Sequence, residues 1–323
     1  MKAIALISGG LDSTLAANLI KEQGVEVVGL RFKIPFCHDG NKSPSGLDIE
    51  IKEVNISDDF LKMLENPRYG YGSNMNPCID CKIIMLSKAR ELMEQYGAKF
   101  IVTGEVLGQR PMSQNKQALE TIVKKAGVEG LLLRPLSAKL LPETIPEREG
   151  WIRREELLSF SGRGRKPQIE LARTLGIPDY AQPAGGCLLT DPGFSQRLKD
   201  LMAHDGLRGD DIELLKIGRH FRLSQTAKLV VGRNEKENER LLNLAREDDY
   251  LFMPTDELAG PTSLGRGILS EELIKLSCSI TCRYCDLNVN NNIDIVYRRI
   301  SEKENKVLRI SPIEETRLSS LRI

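Results

Sequence analysis

The sequence lacks any apolar run near the ~18–20 residues that span a bilayer, which argues against a membrane protein. It also lacks an export signal, because the apolar stretch at residues 2–7 is too short for the core of a signal peptide and ends at Ser8. We therefore expect a cytoplasmic protein. Neither sign of charge is in excess, with 46 Lys and Arg against 45 Asp and Glu. A nucleic-acid partner would therefore have to be held by a local basic patch.

Two common nucleotide-binding motifs are also absent. No Gly-x-x-x-x-Gly-Lys-[Ser/Thr] segment occurs, and no Gly-x-Gly-x-x-Gly follows the first predicted strand, so neither the usual mononucleotide P-loop nor a dinucleotide fold is expected. The seven cysteines are an odd number in a long chain without an export signal. A disulfide framework is not expected under these conditions, and closely spaced cysteines then indicate metal, cluster or redox chemistry.

Strands alternate with helices along the first part of the chain, which predicts an α/β fold with a doubly wound parallel sheet. The predicted strands lie at 2–7, 25–32, 51–55 and 100–103, and the predicted helices at 12–21, 82–96 and 168–174. After about residue 195 the pattern becomes mixed and predicts a second, smaller α+β domain. We predict a first domain at 1–195, a second at 196–275, and a cysteine-containing segment with a hairpin at 276–323.

The segment between the first strand and the first helix is suited to binding phosphate. Gly9 and Gly10 allow a tight turn and a close approach of the backbone to an anion. Successive N–H groups and the helix N-terminus would then point at phosphate oxygens, and Ser8 and Ser13 add hydroxyl donors. Asp12 either caps the helix or holds Mg²⁺ against a pyrophosphate.

This hexapeptide, Ser-Gly-Gly-Leu-Asp-Ser, resembles the PP-loop of the N-type ATP pyrophosphatases, which cleave ATP between the α- and β-phosphates and adenylate a carbonyl oxygen. The resemblance implies a site for ATP and Mg²⁺ in which Asp12 is catalytic. The predicted ATP-binding residues are Ser8, Gly9, Gly10, Asp12, Ser13, Leu30, Phe32, Gly104 and Gln109.

Three cysteines form a second candidate site. Cys78 and Cys81 open a helix whose N-terminus stabilises thiolates, and Cys187 follows a Gly-Gly pair at 185–186. By themselves they fit zinc, a redox pair or a cluster. They resemble the ligands of the 4Fe–4S-dependent tRNA thiolases, which implies that all three are catalytic and hold a 4Fe–4S cluster with one open iron for a hydrosulfide. A persulfide on Cys78 or Cys81 working with Cys187, and purely structural thiols, are the alternatives. A closed zinc site would need a fourth ligand, for which His38 is the one candidate.

Two further segments strengthen the resemblance to thiolases. Residues 103–109, Thr-Gly-Glu-Val-Leu-Gly-Gln, with Ser113-Gln114, are similar to a block that lies beside the nucleotide in 4-thiouridine synthetases, at the carboxyl end of a sheet strand. Residues 132–136 also resemble that family, and Asn76-Pro77-Cys78 resembles the 2-thiouridine synthetases. The resemblance implies an ATP-dependent tRNA sulfurtransferase supplied by sulfide or a sulfur-carrier protein. Because the first predicted strand begins at residue 2, we do not expect the RNA-binding module that precedes the PP-loop in 4-thiouridine synthetases.

We therefore expect tRNA to be held elsewhere in the chain. Arg163, Arg165 and Lys166 lie in a glycine-rich segment that suits phosphate contacts, although a solvated loop is the alternative. Residues 231–238 and 244–249 resemble the RNA-binding domain of the NFACT proteins. That resemblance implies RNA contacts from Arg233 and Lys236, and more weakly from Arg219, His220 and Arg222.

The last cysteines, Cys278, Cys282 and Cys285, have the spacing of the radical S-adenosylmethionine enzymes. Only 38 residues follow Cys285, too few for the barrel of about 200 residues in which that loop occurs. We expect packed or partly exposed reduced thiols there, with a second metal site as the alternative. For the whole protein, the alternatives are a PP-loop sulfurtransferase acting on a small molecule, and an RNA-binding adaptor that only senses nucleotide. A homodimer is a further expectation.

Overall fold

The computed structural model describes residues 1–36, 47–177, 187–255, 258–286 and 292–323. The chain divides into two compact units, Met1–Asp191 and Pro192–Ile323. None of the helices in these described ranges is long and apolar enough to cross a membrane. The predicted bounds of 1–195, 196–275 and 276–323 stay a prediction.

The first unit contains a parallel sheet of five strands. The strands are β1 (Lys2–Leu6), β2 (Glu26–Lys33), β3 (Glu50–Asn55), β4 (Phe100–Val102) and β5 (Leu132–Leu133). Their order is β3-β2-β1-β4-β5, and every neighbouring pair is parallel. The predicted doubly wound α/β sheet is confirmed.

Helices cover both faces of this sheet. They are α1 (Leu11–Glu22), α2 (Ser57–Glu65), α3 (Cys78–Tyr96), α4 (Lys116–Ala126), α5 (Ile145–Arg148) and α6 (Lys166–Thr174). Alternate strand residues feed two separate cores, because successive side chains of a strand point to opposite faces. Ala3 and Ala5 pack in one core, whereas Ile4 packs in the other together with Leu86 of α3.

The strand order places a crevice at the carboxyl ends of β1 and β4. The chain passes from β1 to β2 on one side, and β4 pairs with β1 on the other side. Parallel sheets bind ligands at such a reversal, outside the carboxyl ends of the strands. The predicted phosphate loop follows β1, and the block at 103–109 follows β4, so both segments open onto this crevice.

The second unit is built on a six-stranded antiparallel sheet. Its strands are β6 (Arg219–Ser224), β7 (Ala227–Val231), β8 (Tyr250–Pro254), β9 (Ser263–Gly267), β10 (Ile293–Arg299) and β11 (Lys306–Ile310). The order is β11-β10-β8-β9-β7-β6. The predicted hairpin, now β10 and β11, therefore belongs to the same sheet, because β10 also pairs with β8.

Five helices accompany this sheet in the described ranges. They are α7 (Pro192–His204), α8 (Gly209–Leu215), α9 (Glu235–Asn243), α10 (Glu271–Arg283) and α11 (Glu315–Leu321). Asn234 caps α9 by accepting a hydrogen bond from the N–H of Glu237, and Ser270 caps α10 in the same way. Both caps satisfy backbone donors that a helix start leaves without partners. The predicted second α+β domain is confirmed.

Candidate functional site

The phosphate loop is closed by its own serines. Ser13 Oγ donates to the carbonyl of Gly10 at 2.8 Å, lies 3.2 Å from Ser8 Oγ, and accepts from the N–H of Ser8 at 3.3 Å. Gly10 is the cap residue of α1, and the first N–H groups of a helix have no partners inside it. The loop thus keeps its shape through side chains and presents its backbone donors to the crevice, where an anion would be bound.

The two glycines of the loop have different structural roles. Gly9 has φ 78°, in the left-handed region that side chains other than hydrogen rarely adopt. Gly10 is extended, and a Cβ there would meet only Ser8 Oγ, at an ordinary 3.5 Å. The fold therefore requires glycine at Gly9, whereas at Gly10 a side chain would mainly occupy space in front of the loop.

Gly104 brings the block after β4 into contact with the phosphate loop. A Cβ at Gly104 would overlap the backbone of Asp12 and Ser13. The residues on either side, Thr103 and Glu105, are both buried. Gly104 thus sets the distance between the two loops of the crevice.

Asp12 is held between two side chains of this crevice. Gln109 Nε2 donates to Asp12 Oδ2 at 3.0 Å, and Arg165 Nη2 lies 3.5 Å from Asp12 Oδ1. Asp12 Oδ1 and Gln109 Oε1 are buried, and neither has a hydrogen-bond partner in the described part of the chain. Carboxylate and amide oxygens are ligands that Mg²⁺ prefers, and it needs only one or two of them beside phosphate oxygens. The residues present therefore fit a bound Mg²⁺.

Glu105 is the centre of a buried charge network. It is 2% exposed and accepts hydrogen bonds from Arg134 Nε at 2.9 Å and Thr103 Oγ1 at 3.2 Å, while Lys82 Nζ lies 3.4 Å from its Oε1. Burial alone would raise the pKa of Glu105, but the charges of Lys82 and Arg134 and these hydrogen bonds lower it to about 2. Glu105 is therefore an anion at neutral pH. Lys82 and Arg134 were not among the predicted site residues, although both adjoin predicted segments.

The predicted cysteine pair lies in the first turn of α3. Cys78 and Cys81 are both partly exposed. Between them, Asp80 is buried and accepts hydrogen bonds from the N–H groups of Arg68 and Tyr69 at 3.1 and 3.0 Å. The start of the helix that carries both thiols is thus fastened by the hydrogen bonds of Asp80 and by the ion pair of Lys82 with Glu105.

Cys187 is partly exposed and begins a segment that lies against the loop before Cys78. The N–H of Met75 donates to the carbonyl of Leu189 at 3.1 Å, and Asn74 Nδ2 donates to the carbonyl of Thr190 at 2.7 Å. Among the described residues, no three His, Cys, Asp or Glu side chains are grouped so that they could hold a metal ion. A ready-made three-cysteine ligand set is therefore not present there. Cys37, His38 and the Gly-Gly pair at 185–186 lie outside the described residues.

Leu30 and Phe32 of β2 are core residues in this structure. Leu30 is fully buried and Phe32 is 6% exposed, and both pack in the core that contains Ile4 and Leu86. The carbonyl of Leu30 accepts the N–H of Ile7 at 2.8 Å, just before the phosphate loop. Both residues support β1 from the neighbouring strand. Their assignment to the ATP site stays a prediction.

The basic segment predicted to bind RNA divides into two parts. Arg163 and Lys166 are exposed, whereas Arg165 points to Asp12. The start of the segment is attached to the block after β4, because the N–H of Gly162 donates to the carbonyl of Leu107 at 2.8 Å. The position of Arg165 is therefore set by the backbone of the crevice.

The predicted RNA contacts of the second unit are also of two kinds. Arg233 and Lys236 are exposed at the start of α9, where Arg233 pairs with Glu237. Arg222 is ion-paired to Asp200 and is mostly buried. His220 is 2% exposed, and burial together with the charges of Lys228 and Arg197 lowers its pKa to about 3. His220 is thus a neutral core residue, and the expectation that it contacts RNA is wrong.

Arg219 makes a contact that sequence reasoning did not anticipate. Its guanidinium carbon lies 4.6 Å from the centre of the Tyr284 ring, and Nη1 donates to the carbonyl of Gly232 at 3.4 Å. A cation over an aromatic face is a stabilising arrangement. Arg219 therefore has a structural role within the second unit.

The last cysteines belong to the core of the second unit. Cys278, Cys282 and Cys285 are all buried on or just after α10 and pack with Phe221, Phe252 and Ile295. Burial raises the pKa of Cys278 and of Cys285 to about 12. These thiols stay protonated, which agrees with the expectation of packed reduced thiols.

Two family models match the chain, one in each unit. Residues 1–139 match the family described as thiamine biosynthesis protein (ThiI), and residues 218–322 match the NFACT protein RNA binding domain. The chain therefore combines a part similar to the PP-loop thiouridine synthetases with a part similar to the NFACT RNA-binding domain. The predicted resemblance is confirmed.

Individual relatives are named as tRNA thiouridylases or tRNA sulfurtransferases. The tRNA-specific 2-thiouridylase MnmA of Pelobacter propionicus is 24% identical over 238 residues, which cover 68% of this chain and 64% of that protein. The probable tRNA sulfurtransferase of Thermococcus kodakarensis is 31% identical over 123 residues, 33% of this chain and 30% of that protein. A crystal structure of a 4-thiouridine synthetase–RNA complex with bound ATP shares 20% identity, covers 67% of this chain and 52% of that one, and has a TM-score of 0.39. The chain spans less than two thirds of the length of these relatives.

Proposed function

We propose that the protein is an ATP-dependent tRNA sulfurtransferase that adenylates a uridine carbonyl and replaces its oxygen with sulfur. The observation that carries this proposal concerns two consecutive residues after β4. Gly104 contacts the phosphate loop at Asp12, and Glu105 pairs with Lys82, the neighbour of Cys81. A phosphate-binding loop and a pair of thiols are thus held at one edge of one sheet, as adenylation followed by sulfur transfer requires.

The first step is adenylation. The uridine carbonyl oxygen attacks the α-phosphorus of ATP, the bond from that phosphorus to the bridging oxygen breaks, and pyrophosphate leaves with the electron pair. The N–H groups at the start of α1 bind phosphate oxygens. Asp12 and Gln109 would hold Mg²⁺, which neutralises charge on the pyrophosphate when bound.

The second step is sulfur transfer, for which we propose Cys78, Cys81 and Cys187. A sulfur nucleophile attacks the adenylated carbon, and AMP leaves with the former carbonyl oxygen. The resemblance to thiolases implies a 4Fe–4S cluster on the three cysteines, but the described residues contain no ready three-ligand group. This observation favours a second form, in which one cysteine carries a persulfide.

In the persulfide form, the terminal sulfur bonds to carbon as AMP leaves. A second cysteine then attacks the remaining cysteine sulfur, the S–S bond to the transferred sulfur breaks, and thiouridine is released. The two cysteines end as a disulfide, which an external thiol reductant must reduce. The source of the sulfur is a sulfur-carrier protein that bears a persulfide: the cysteine thiolate attacks its terminal sulfur and the carrier's thiolate leaves. Sulfide is the proposed source for the cluster form only.

The partner and its binding sites are proposals on the same footing. The match of residues 218–322 to an RNA-binding domain supports tRNA as substrate. Arg163 and Lys166 in the first unit, and Arg233 and Lys236 in the second, are exposed cations suited to phosphate contacts. The cytoplasm as the site of action and a homodimer remain predictions.

Mass spectrometry of tRNA nucleosides from a strain that lacks this chain is the direct test. We expect one thiouridine to disappear and to return with the intact gene but not with Cys78→Ala. Unchanged thiouridine, together with ATP–pyrophosphate exchange that tRNA does not alter, would instead support a small-molecule substrate. An absence of exchange would support an adaptor that only senses nucleotide.

The form of sulfur delivery needs a separate experiment. Anaerobic reconstitution with iron and sulfide should give a 4Fe–4S absorption spectrum if the cysteines assemble a cluster. In the persulfide form the iron-free protein, loaded with persulfide, completes one turnover and accumulates a disulfide among Cys78, Cys81 and Cys187, which peptide mapping would detect.

A further inference from the structure

Arg165 differs from its two basic neighbours in where its charge is directed. Arg163 and Lys166 are exposed, but the Arg165 side chain is only 26% exposed and its Nη2 lies 3.5 Å from Asp12 Oδ1. Arg165 is the residue before α6, with a backbone conformation outside the helix. The segment therefore presents one cation to the crevice and two to solvent.

Three buried polar atoms at this point have no hydrogen-bond partner among the described residues: Arg165 Nε, Asp12 Oδ1 and Gln109 Oε1. A buried donor or acceptor left without a partner costs free energy. The Arg165 to Asp12 separation is too long for a good hydrogen bond, so the pair does not satisfy its own atoms. An anionic ligand with a bound metal cation would satisfy all three atoms. Its anionic oxygens would accept from Arg165, and its cation would be coordinated by Asp12 Oδ1 and Gln109 Oε1.

The position of Arg165 is built into the crevice. Residues 107 and 161 form a parallel bridge, and the N–H of Gly162 donates to the carbonyl of Leu107 at 2.8 Å. The same short stretch, two residues on from Leu107, carries Gln109, which donates to Asp12. Arg165 is therefore held by the strand-end block that also contacts the phosphate loop.

We infer that Arg165 is a catalytic residue that binds the pyrophosphate portion of ATP, and that it is not an RNA contact. The inference rests on the proposed function. As the bond between the α-phosphorus and the bridging oxygen breaks, negative charge grows on the departing pyrophosphate, and a guanidinium there stabilises it. Arg163 and Lys166 remain available to RNA.

Equilibrium binding of ATP, AMP and inorganic pyrophosphate to the full chain tests the assignment. Arg165→Ala should weaken binding of ATP and of pyrophosphate by about tenfold or more, the effect of losing a charge-assisted hydrogen bond. AMP affinity should not change, which also shows that the variant is folded. Arg165→Lys should retain part of the ATP affinity, because a point charge replaces a planar fork.

The matched control is the double substitution of Arg163 and Lys166 by alanine. It should leave all three nucleotide and pyrophosphate affinities unchanged while lowering the log–log salt slope of tRNA binding by about 0.7–0.9 for each lost contact. Equal loss of AMP and ATP affinity in Arg165→Ala, or a loss of tRNA affinity alone, would overturn the assignment while leaving the proposed function intact. A wild-type chain without ATP affinity would overturn both.

Discussion

Lys82 Nζ lies 3.4 Å from Glu105 Oε1, so the residue after Cys81 is joined to the residue after Gly104. The pair joins the second turn of α3 to the segment that follows the carboxyl end of β4. Glu105 also accepts a hydrogen bond from Arg134, just after β5. The position of the thiol-bearing helix α3 is therefore tied to the ends of two strands, β4 and β5. The network positions groups and does not react.

Lys82→Met should separate the two halves of the proposed reaction. The Glu105–Arg134 pair remains, so the fold and the phosphate loop should persist and ATP–pyrophosphate exchange should stay at the wild-type rate. Thiouridine formation should fall at least about tenfold, because small misplacements of reacting groups are costly. Lys88→Met is the matched control, since Lys88 lies on the same helix and pairs with the exposed Glu91. Equal losses in both steps would show that Lys82 supports the fold and has no specific role in sulfur transfer.

Acid should weaken the first unit through Glu105. Its pKa is about 2 in the folded chain against an ordinary 4.5, so its stabilising contribution is fully present above about pH 4.5. That contribution is lost as pH falls from 4.5 through 2, and it amounts to something on the order of 3 kcal/mol. Glu105→Gln should be less stable at pH 7, because the buried Arg134 and the partly exposed Lys82 lose their anionic partner, and should show a flatter pH dependence between pH 5 and 3. Urea unfolding at several pH values would measure both effects, and parallel pH profiles would contradict the expectation.

Glycine substitutions should distinguish residues that maintain the conformation of the phosphate loop from residues that leave room for the phosphate. Gly104→Ala should displace the phosphate loop, because the added carbon overlaps the backbone of Asp12 and Ser13, and the variant should lose both stability and ATP binding. Gly10→Val should keep the fold, since a Cβ there meets only Ser8 Oγ at 3.5 Å, yet lose ATP binding because the side chain occupies phosphate space. Gly209→Ala, which meets nothing within 4 Å, is the control. Thermal melts and ATP titrations report the two quantities, and unchanged ATP affinity in Gly10→Val would contradict the phosphate-loop assignment.

Thiol labelling should divide the cysteines into two groups. At pH 8 iodoacetamide should not modify Cys278 and Cys285 in the native chain, because they are buried and their pKa values are raised to about 12. Cys78 is partly exposed and should react. Denaturation should remove the difference, as read by peptide mass spectrometry. Labelling of Cys278 in the native chain would contradict this expectation. Cys278→Ala should lower the free energy of unfolding, because it leaves a small cavity, and should leave thiouridine formation unchanged.

In the first unit, hydrophobic periodicity predicted the strands β1 to β4 and the helices α1, α3 and α6, because buried parallel strands and amphipathic helices have distinct patterns. The amphipathic part of α3 was predicted from Lys82, and the Cys-x-x-Cys motif placed the start of the helix at Cys78, where the structure has it. Helices α2, α4 and α5 of the first unit were missed. The buried residues of α2 and α4 do recur at helical spacing, as Phe60 with Leu64 and Ala118 with Ile122, so the amphipathic pattern of both helices was present in the sequence.

The phosphate loop was predictable because its residues are consecutive and their spacing carries the chemistry. Glu105, Lys82 and Arg134 form one network from three separate elements, and no local pattern reports such pairing. The direction of Arg165 was equally hidden, since a glycine-rich run of cations reads as a surface segment until the bridge to residue 107 turns one of them inward. His220 shows the converse, a polar residue in a strand that tertiary packing buries.

Gly104 and Glu105 are adjacent and contact different parts of the crevice, which limits the changes in chain length that the crevice can accept. One backbone step separates the glycine that abuts the phosphate loop from the carboxylate that anchors the thiol helix. A one-residue insertion or deletion there would shift both contacts together, because the two residues are adjacent in the chain. The same two residues therefore fix the positions of the phosphate loop and of the thiol-bearing helix. A change in the length of this segment cannot move one of them without moving the other.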